Sequence, residues 1–208
     1  MKFSSDGSIE KLQIEGINLD EPTGVYVDLK GDIYVADRAT GLIYKIDNNL
    51  QAIIFADVGE GVLGITGDGQ GNLFASINTQ SGEIKRVGFD GKVNTLAMVP
   101  TYVPPNYLVP FISWVGHLTY HREKLYVAGT STHQIYTVSL DGQVEIFAGT
   151  GDKQIPYGDI LTADFNRPLG LVFSADGSRL FVSGCEDTVP QHTQASYPSR
   201  VYVIDLVN

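Results

Sequence analysis

A glycine step that occurs four times constrains this chain more than any other feature. It reads "PTGVYVD" at Pro22 to Asp28, "VLGITGD" at Val62 to Asp68, "WVGHLTY" at Trp114 to Tyr120 and "PLGLVFS" at Pro168 to Ser174. A second alternating stretch follows each one: "IYVAD", "LFASI", "LYVAG" and "LFVSG". A third comes next: "LIYKID", "EIKRVGF", "QIYTVSL" and "RVYVIDL". Short period-2 alternation bounded by Gly, Asn and Asp is the signature of half-buried strands joined by tight turns. The glycines Gly24, Gly64, Gly116 and Gly170 are 40, 52 and 54 residues apart, which fits repeating four-stranded units of about 40 to 50 residues with insertions.

The fourth strand of the unit sets the expected closure. Three copies continue through a tight turn into another strand, "DNNLQAIIF", "DGKVNTLAM" and "DGQVEIFAG", whereas the last copy stops at "RVYVIDLVN". The same turn and pattern stand at the other end, in "SSDGSIEKLQI". Asp-Gly suits such turns because they need positive φ. The expected fold is therefore an all-β propeller, one domain over 1–208, with blades at about 17–57, 58–99, 112–150 and 165–208. The last blade is expected to be closed by the N-terminal strand within 1–16, which removes exposed sheet edges. Two arrangements stay open: a small ring that closes on itself, and a homo-oligomer that builds a larger one.

The charge balance narrows the partners. Lys and Arg number 14 against 24 Asp and Glu, for a formal net charge of −10. Nucleic-acid binding rests on basic residues that neutralise phosphates, so nucleic acid and anionic membranes are not expected partners. A small molecule or a protein is. No apolar run reaches the roughly 18 residues of a membrane span. The N-terminus carries no apolar h-region. This makes the cytoplasm the default compartment, and an exported parent trimmed before this sequence stays open as the alternative. The single cysteine, Cys185, rules out an internal disulfide.

With these stretches in view, "NLDEPTGVYVDLKGDIYVADRATGLIYKID" resembles an NHL repeat. "IFAGTGDKQIPYGDILTADFNRPLGLVFSADGSRLFVSG" resembles its longer bacterial form, with an Ala-Gly-Thr-Gly segment and an Ala-x-Phe step. The resemblance covers essentially the whole chain. It implies a propeller akin to six-bladed rings, a fold that hosts scaffolds, lactone hydrolases, lyases and ligand binders.

Departures from the repeat mark the candidate site. The insertion "VPTYVPPNYLVPFISW" holds Tyr102, Tyr107 and Trp114, and reads either as a recognition loop over the channel or as a stiff packing loop. His117 directly follows the repeat glycine, where other copies have Val25, Ile65 and Leu171. It can act as base or ligand, or simply hydrogen-bond between blades. Asn166 and Arg167 precede the last glycine step, and Arg167 can clamp a carboxylate or pair with a surface acid. Asp37 matches a position common in NHL repeats and also suits a turn-forming aspartate. The loop "CEDTVPQHTQASYPS" gathers Cys185, Glu186, Asp187 and His192 in no recognised metal spacing.

A second resemblance, to the regucalcin/gluconolactonase propellers, implies a divalent cation such as Ca²⁺ in the channel and sugar-lactone hydrolysis. "VGEGVLG" places Glu60 on that family's metal-binding Glu, although Val62 replaces its proline and Leu169 stands where its Asn ligand belongs. The expected function is a binding module that needs no cofactor, with the metal-dependent hydrolase as the alternative.

Overall fold

The structure is a computed structural model that describes residues 2–3, 6–10, 14–102, 114–152, 158–185 and 199–206. All its regular elements are strands. Blade 1 is built from β3 (Pro22–Val27), β4 (Ile33–Asp37), β5 (Leu42–Ile46) and β6 (Ala52–Asp57). Blade 2 is β7 (Val62–Gly67), β8 (Leu73–Ile77), β9 (Glu83–Val87) and β10 (Val93–Met98). Blade 3 is β11 (Leu118–His121), β12 (Lys124–Gly129), β13 (Gln134–Ser139) and β14 (Val144–Ala148). Blade 4 has three strands among the described residues, β15 (Pro168–Phe173), β16 (Arg179–Cys185) and β17 (Ser199–Asp205). Every pairing in these sheets is antiparallel between consecutive strands, so this is an all-β, four-bladed propeller architecture.

The repeated glycine is there because the innermost strands run close together. A Cβ on Gly64 would lie 2.8 Å from the Cα of His117 in the next blade, and one on Gly116 would lie 2.5 Å from the carbonyl oxygen of Leu169. No side chain fits at such distances. The step is also a bulge: in blades 1, 2 and 4 the register shifts between Pro22 and Gly24, Val62 and Gly64, and Pro168 and Gly170.

Three apolar clusters lie between successive blades, and they are the core. Blades 1 and 2 bury Tyr34, Ala36, Ile43, Val62, Ile65 and Leu73 between them. Phe74, Ile84, Leu118, Leu125 and Val127 join blades 2 and 3, and Ile135, Phe165, Leu180 and Val182 join blades 3 and 4. Backbone contacts run from β3 to β7, β7 to β11 and β11 to β15, and none of comparable extent joins β15 to β3 among the described residues. Among the described residues the array is an open arc.

The expected closure by the N-terminal strand is corrected here. β1 (Lys2–Phe3) pairs with β2 (Ile9–Glu10), Lys2 opposite Glu10 and Phe3 opposite Ile9, while β17 has only β16 beside it among the described residues. A local hairpin closes a very short loop, which costs far less entropy than reaching the far end of the chain. The register identifies the hairpin. Arg86 faces Asn94 and Val87 faces Val93 in blade 2, and Thr137 faces Glu145 and Val138 faces Val144 in blade 3. In each case the inner member lies three residues before the turn aspartate, as Phe3 does before Asp6. The turn residues Gly7, Gly91 and Gly142 all have positive φ, and Leu50 takes that place in blade 1 at φ 61°. The β1–β2 hairpin thus shares the register and turn of the outer hairpins of blades 2 and 3. After it, the chain runs along the outer edge of blade 1: the Glu15 N–H donates to the Leu50 carbonyl at 3.2 Å, and the Tyr44 hydroxyl donates to the Asn18 carbonyl at 3.1 Å.

Candidate functional site

The innermost strands frame an open groove of about 360 Å³ along the channel, lined by Val25 and Tyr26 of β3, Ile65 and Thr66 of β7, His117 to Thr119, and Gly170 and Leu171 of β15. All four blades therefore contribute to one cavity. His117 supplies its imidazole, and burial lowers that ring's pKa below its ordinary value of 6.5, which keeps it neutral at pH 7.

The register puts His117 elsewhere than the expected alignment. The Gly116 N–H donates to the Ala128 carbonyl at 2.7 Å, and the Ala128 N–H donates to the His117 carbonyl at 3.1 Å. Both residues thus oppose Ala128, and His117 is the extra residue of the bulge. Leu118, paired with Val127, takes the ladder place of Val25, Ile65 and Leu171. A bulge re-aims a side chain, and here an imidazole joins the groove wall without displacing the apolar ladder.

At one end of the channel, the loops entering the inner strands meet the loops that leave the second strands. Polar residues of the latter pin the former through backbone groups. Asp37 is fully buried. Its carboxylate accepts from the Asp20 N–H at 2.6 Å, Ala39 at 3.1 Å, Thr40 at 3.2 Å and Glu21 at 3.4 Å. Burial pushes its pKa up, but these donors outweigh that and hold it below 3.8. Asp37 is therefore the turn-holding aspartate that its position allowed. In blade 2 the Asn78 side chain accepts the Trp114 N–H at 2.6 Å. In blade 3 the Thr130 hydroxyl donates to the Pro168 carbonyl at 2.6 Å, and Nδ1 of His133 accepts the Arg167 N–H at 3.0 Å.

Trp114 and His117 thus stand at the entry to the inner strand of blade 3, and Asn166 and Arg167 at the entry to that of blade 4. Trp114 is half-buried against the cluster between blades 2 and 3, and its carbonyl accepts from the Ser131 hydroxyl at 3.0 Å. Tyr102 is exposed, its N–H donating to that same hydroxyl oxygen at 3.1 Å. Asn166 donates its N–H to the Tyr202 hydroxyl at 3.3 Å, while its side-chain Oδ1 is buried without a partner among the described residues. Arg167 holds a positive φ of 46°, as does His133 at 60°. Such strained non-glycine residues persist where surrounding contacts over-determine them. Tyr107, Glu186, Asp187 and His192 lie outside the described residues. Glu60 is exposed in the turn before β7, and among the described residues no three His, Cys, Asp or Glu side chains gather where they could hold a metal.

Sequence reasoning missed two features. Asn78, Thr130, Ser131 and His133 do the pinning, and their only signal was a polar run after each second strand. A second cavity of about 320 Å³ opens at the other end of the channel between blades 1 and 2, walled by Tyr26, Tyr34, Phe55 and Phe89. Lys45 stands over the Tyr34 ring at 5.7 Å and pairs with Asp32 at 2.8 Å.

No family model and no curated protein matches the chain. Solved structures do. A gluconolactonase from Xanthomonas campestris matches at TM-score 0.63 and 19% identity, over 88% of this chain and 61% of that one. An auxiliary nutrient-binding protein from Bacteroides ovatus matches at TM-score 0.62 and 15% identity, over 79% and 46%. Virginiamycin B lyase from Staphylococcus aureus matches at TM-score 0.58 and 17% identity, over 86% and 54%. The chain spans about half the length of these proteins. At such identities the likeness is one of fold: the chain shares the propeller architecture of gluconolactonase-like and lyase-like proteins.

Proposed function

We propose that the chain is an NHL-type propeller module that binds a small polar molecule or a segment of a partner protein at the loop end of its channel. The carrying observation is the groove of about 360 Å³ where the inner strands of all four blades meet around His117. Small-molecule sites of about 300 to 1,000 Å³ pair apolar walls with a few oriented polar groups, which is the composition of this groove. A neutral imidazole both donates and accepts a hydrogen bond. We assign further contacts at the mouth to Trp114, Asn166, Arg167 and Tyr102. The acidic balance speaks against nucleic acid and anionic membranes. The reading requires no cofactor.

The test is a thermal-shift panel of neutral sugars, sugar acids and amino acids, run together with selection from a peptide display library, on the wild type and His117→Gln. One ligand class should stabilise the wild type and not the variant. No shift and no enriched peptide would end the reading.

The second reading is a metal-dependent sugar-lactone hydrolase, supported by the shared fold and by Glu60. A hard cation takes about six to eight oxygen ligands, and the described residues around Glu60 do not supply them, so no step is derived through a metal. Calorimetric titration with Ca²⁺ and Zn²⁺ should give no binding heat. Tight binding lost in Glu60→Gln would reverse the preference.

A further inference from the structure

The two ends of the arc carry complementary parts of a blade junction. Third-strand positions opposite Ala36, Ser76 and Ala128 hold Ile43, Ile84 and Ile135, each 0% exposed in a junction, and the same position opposite Ser183 holds Val201, 69% exposed. Val172 and Val203 on the same face of blade 4 are also exposed, at 59% and 51%. At the other end, Val25 is 66% exposed, although its ladder equivalents Ile65 and Leu118 are buried at 6% and 4%. Val27 joins it at 55%. The glycines agree: a Cβ on Gly24, Gly64 or Gly116 meets the next blade, whereas one on Gly170 meets only Ser183 of its own blade. Strand content agrees as well. Among the described residues, blade 4 has inner strands and no outermost one, with a groove of about 1030 Å³ along β17, while β1 and β2 pair only with each other, in the register of an outer hairpin.

We propose that two copies of the chain join head to tail into one eight-bladed ring, the outward face of blade 4 in each copy packing on the outward face of blade 1 in the other. Both mating faces are present on a single chain, and each junction would repeat the three already formed within it. Two arcs of four blades give eight, within the range of about 4 to 8 blades seen in propellers. In that ring β2 of one copy takes the vacant outer place beside β17 of the other, with Ile9 opposite Ile204 and Glu10 opposite Val203, in the register shared by the other hairpins. β1, two residues long, yields its place to the seven-residue β17. The channel groove, open between β3 and β15, is then bounded on every side. The proposal rests on the blade faces and stands independently of what the groove binds.

The interface is heterologous, which gives it a distinctive test. Val25→Asp/Val27→Asp spoils the blade 1 face and Val201→Asp/Val203→Asp spoils the blade 4 face, all at exposed positions. Unmodified chain should sediment as two copies. Each variant alone should be a single chain, with association weakened about a hundredfold or more, because each junction would bury unpaired carboxylates. Mixed one to one, the variants should form two-chain particles through the single junction that joins two intact faces, more weakly than the unmodified chain because the other junction joins both spoiled faces. Wild-type far-UV circular dichroism in both variants separates lost association from lost folding. A single-chain wild type at its highest soluble concentration, or a mixture that stays single, would overturn the proposal, and so would open polymers.

Discussion

The interior junctions of the arc and its two ends use the same positions of the same repeat, and only the interior ones are buried. Ile135 and Val201 occupy equivalent places on third strands, one wholly enclosed and the other mostly in solvent. The difference lies in the neighbour and not in the residue. An apolar pattern therefore reports the shape of a blade and is silent about whether another blade stands beside it.

Substitutions at matched positions should separate interior from end. Measured by urea denaturation of the dilute single chain, Ile135→Ala should cost about 2 to 5 kcal/mol through a cavity. Val201→Ala should stay within about 0.5 kcal/mol. Equal losses at the two sites would mean that the blade 4 face is covered. Gly116→Ala should cost about 1 to 3 kcal/mol because its Cβ meets a backbone oxygen. Gly170→Ala should be much milder, since the Ser183 side chain it meets can rotate away.

Asp37→Ala strips acceptors from backbone donors in the loop of blade 1 and should cost about 1 to 3 kcal/mol. Its folded pKa lies below the unfolded value of 3.8. That contribution is therefore present above pH 3.8 and is lost as the pH falls through the folded value, so acid titration of stability should be shallower in Asp37→Asn. His117 behaves in the same sense nearer neutrality. Its folded pKa is below 6.5, so stability should drop as the pH falls below 6.5, and His117→Gln should remove that slope. The smallest effect is expected at Leu50, which holds the left-handed turn place taken by glycine elsewhere. Leu50→Gly should stabilise by no more than about 1 kcal/mol.

Much of this was legible beforehand, for a physical reason: blades are made by local pairing between consecutive strands. Alternation in "IYVAD" and "LFVSG" and the Asp-Gly turns specify hairpins whose partners are close in sequence. Closure was not legible, because whether β2 pairs with β1 or with β17 depends on a contact across the whole chain. The register at His117 was hidden too, since glycine spacing aligns it with Val25, and only the ladder shows that the bulge takes it in. Of the candidate site, Asp37 was readable as a turn aspartate. The pinning by Asn78, Thr130 and His133 was not, because it joins loops of neighbouring blades.

The central claim is that the arc is open and that a second copy closes it. Sedimentation equilibrium of the unmodified chain, repeated across protein concentration and salt, tests it most directly. With a formal net charge of −10 on each copy, repulsion opposes pairing and salt screens it. The account predicts a mass that rises from one chain to two with concentration, levels off there, and does so at lower concentration as salt increases. A mass of one chain under every condition would contradict it.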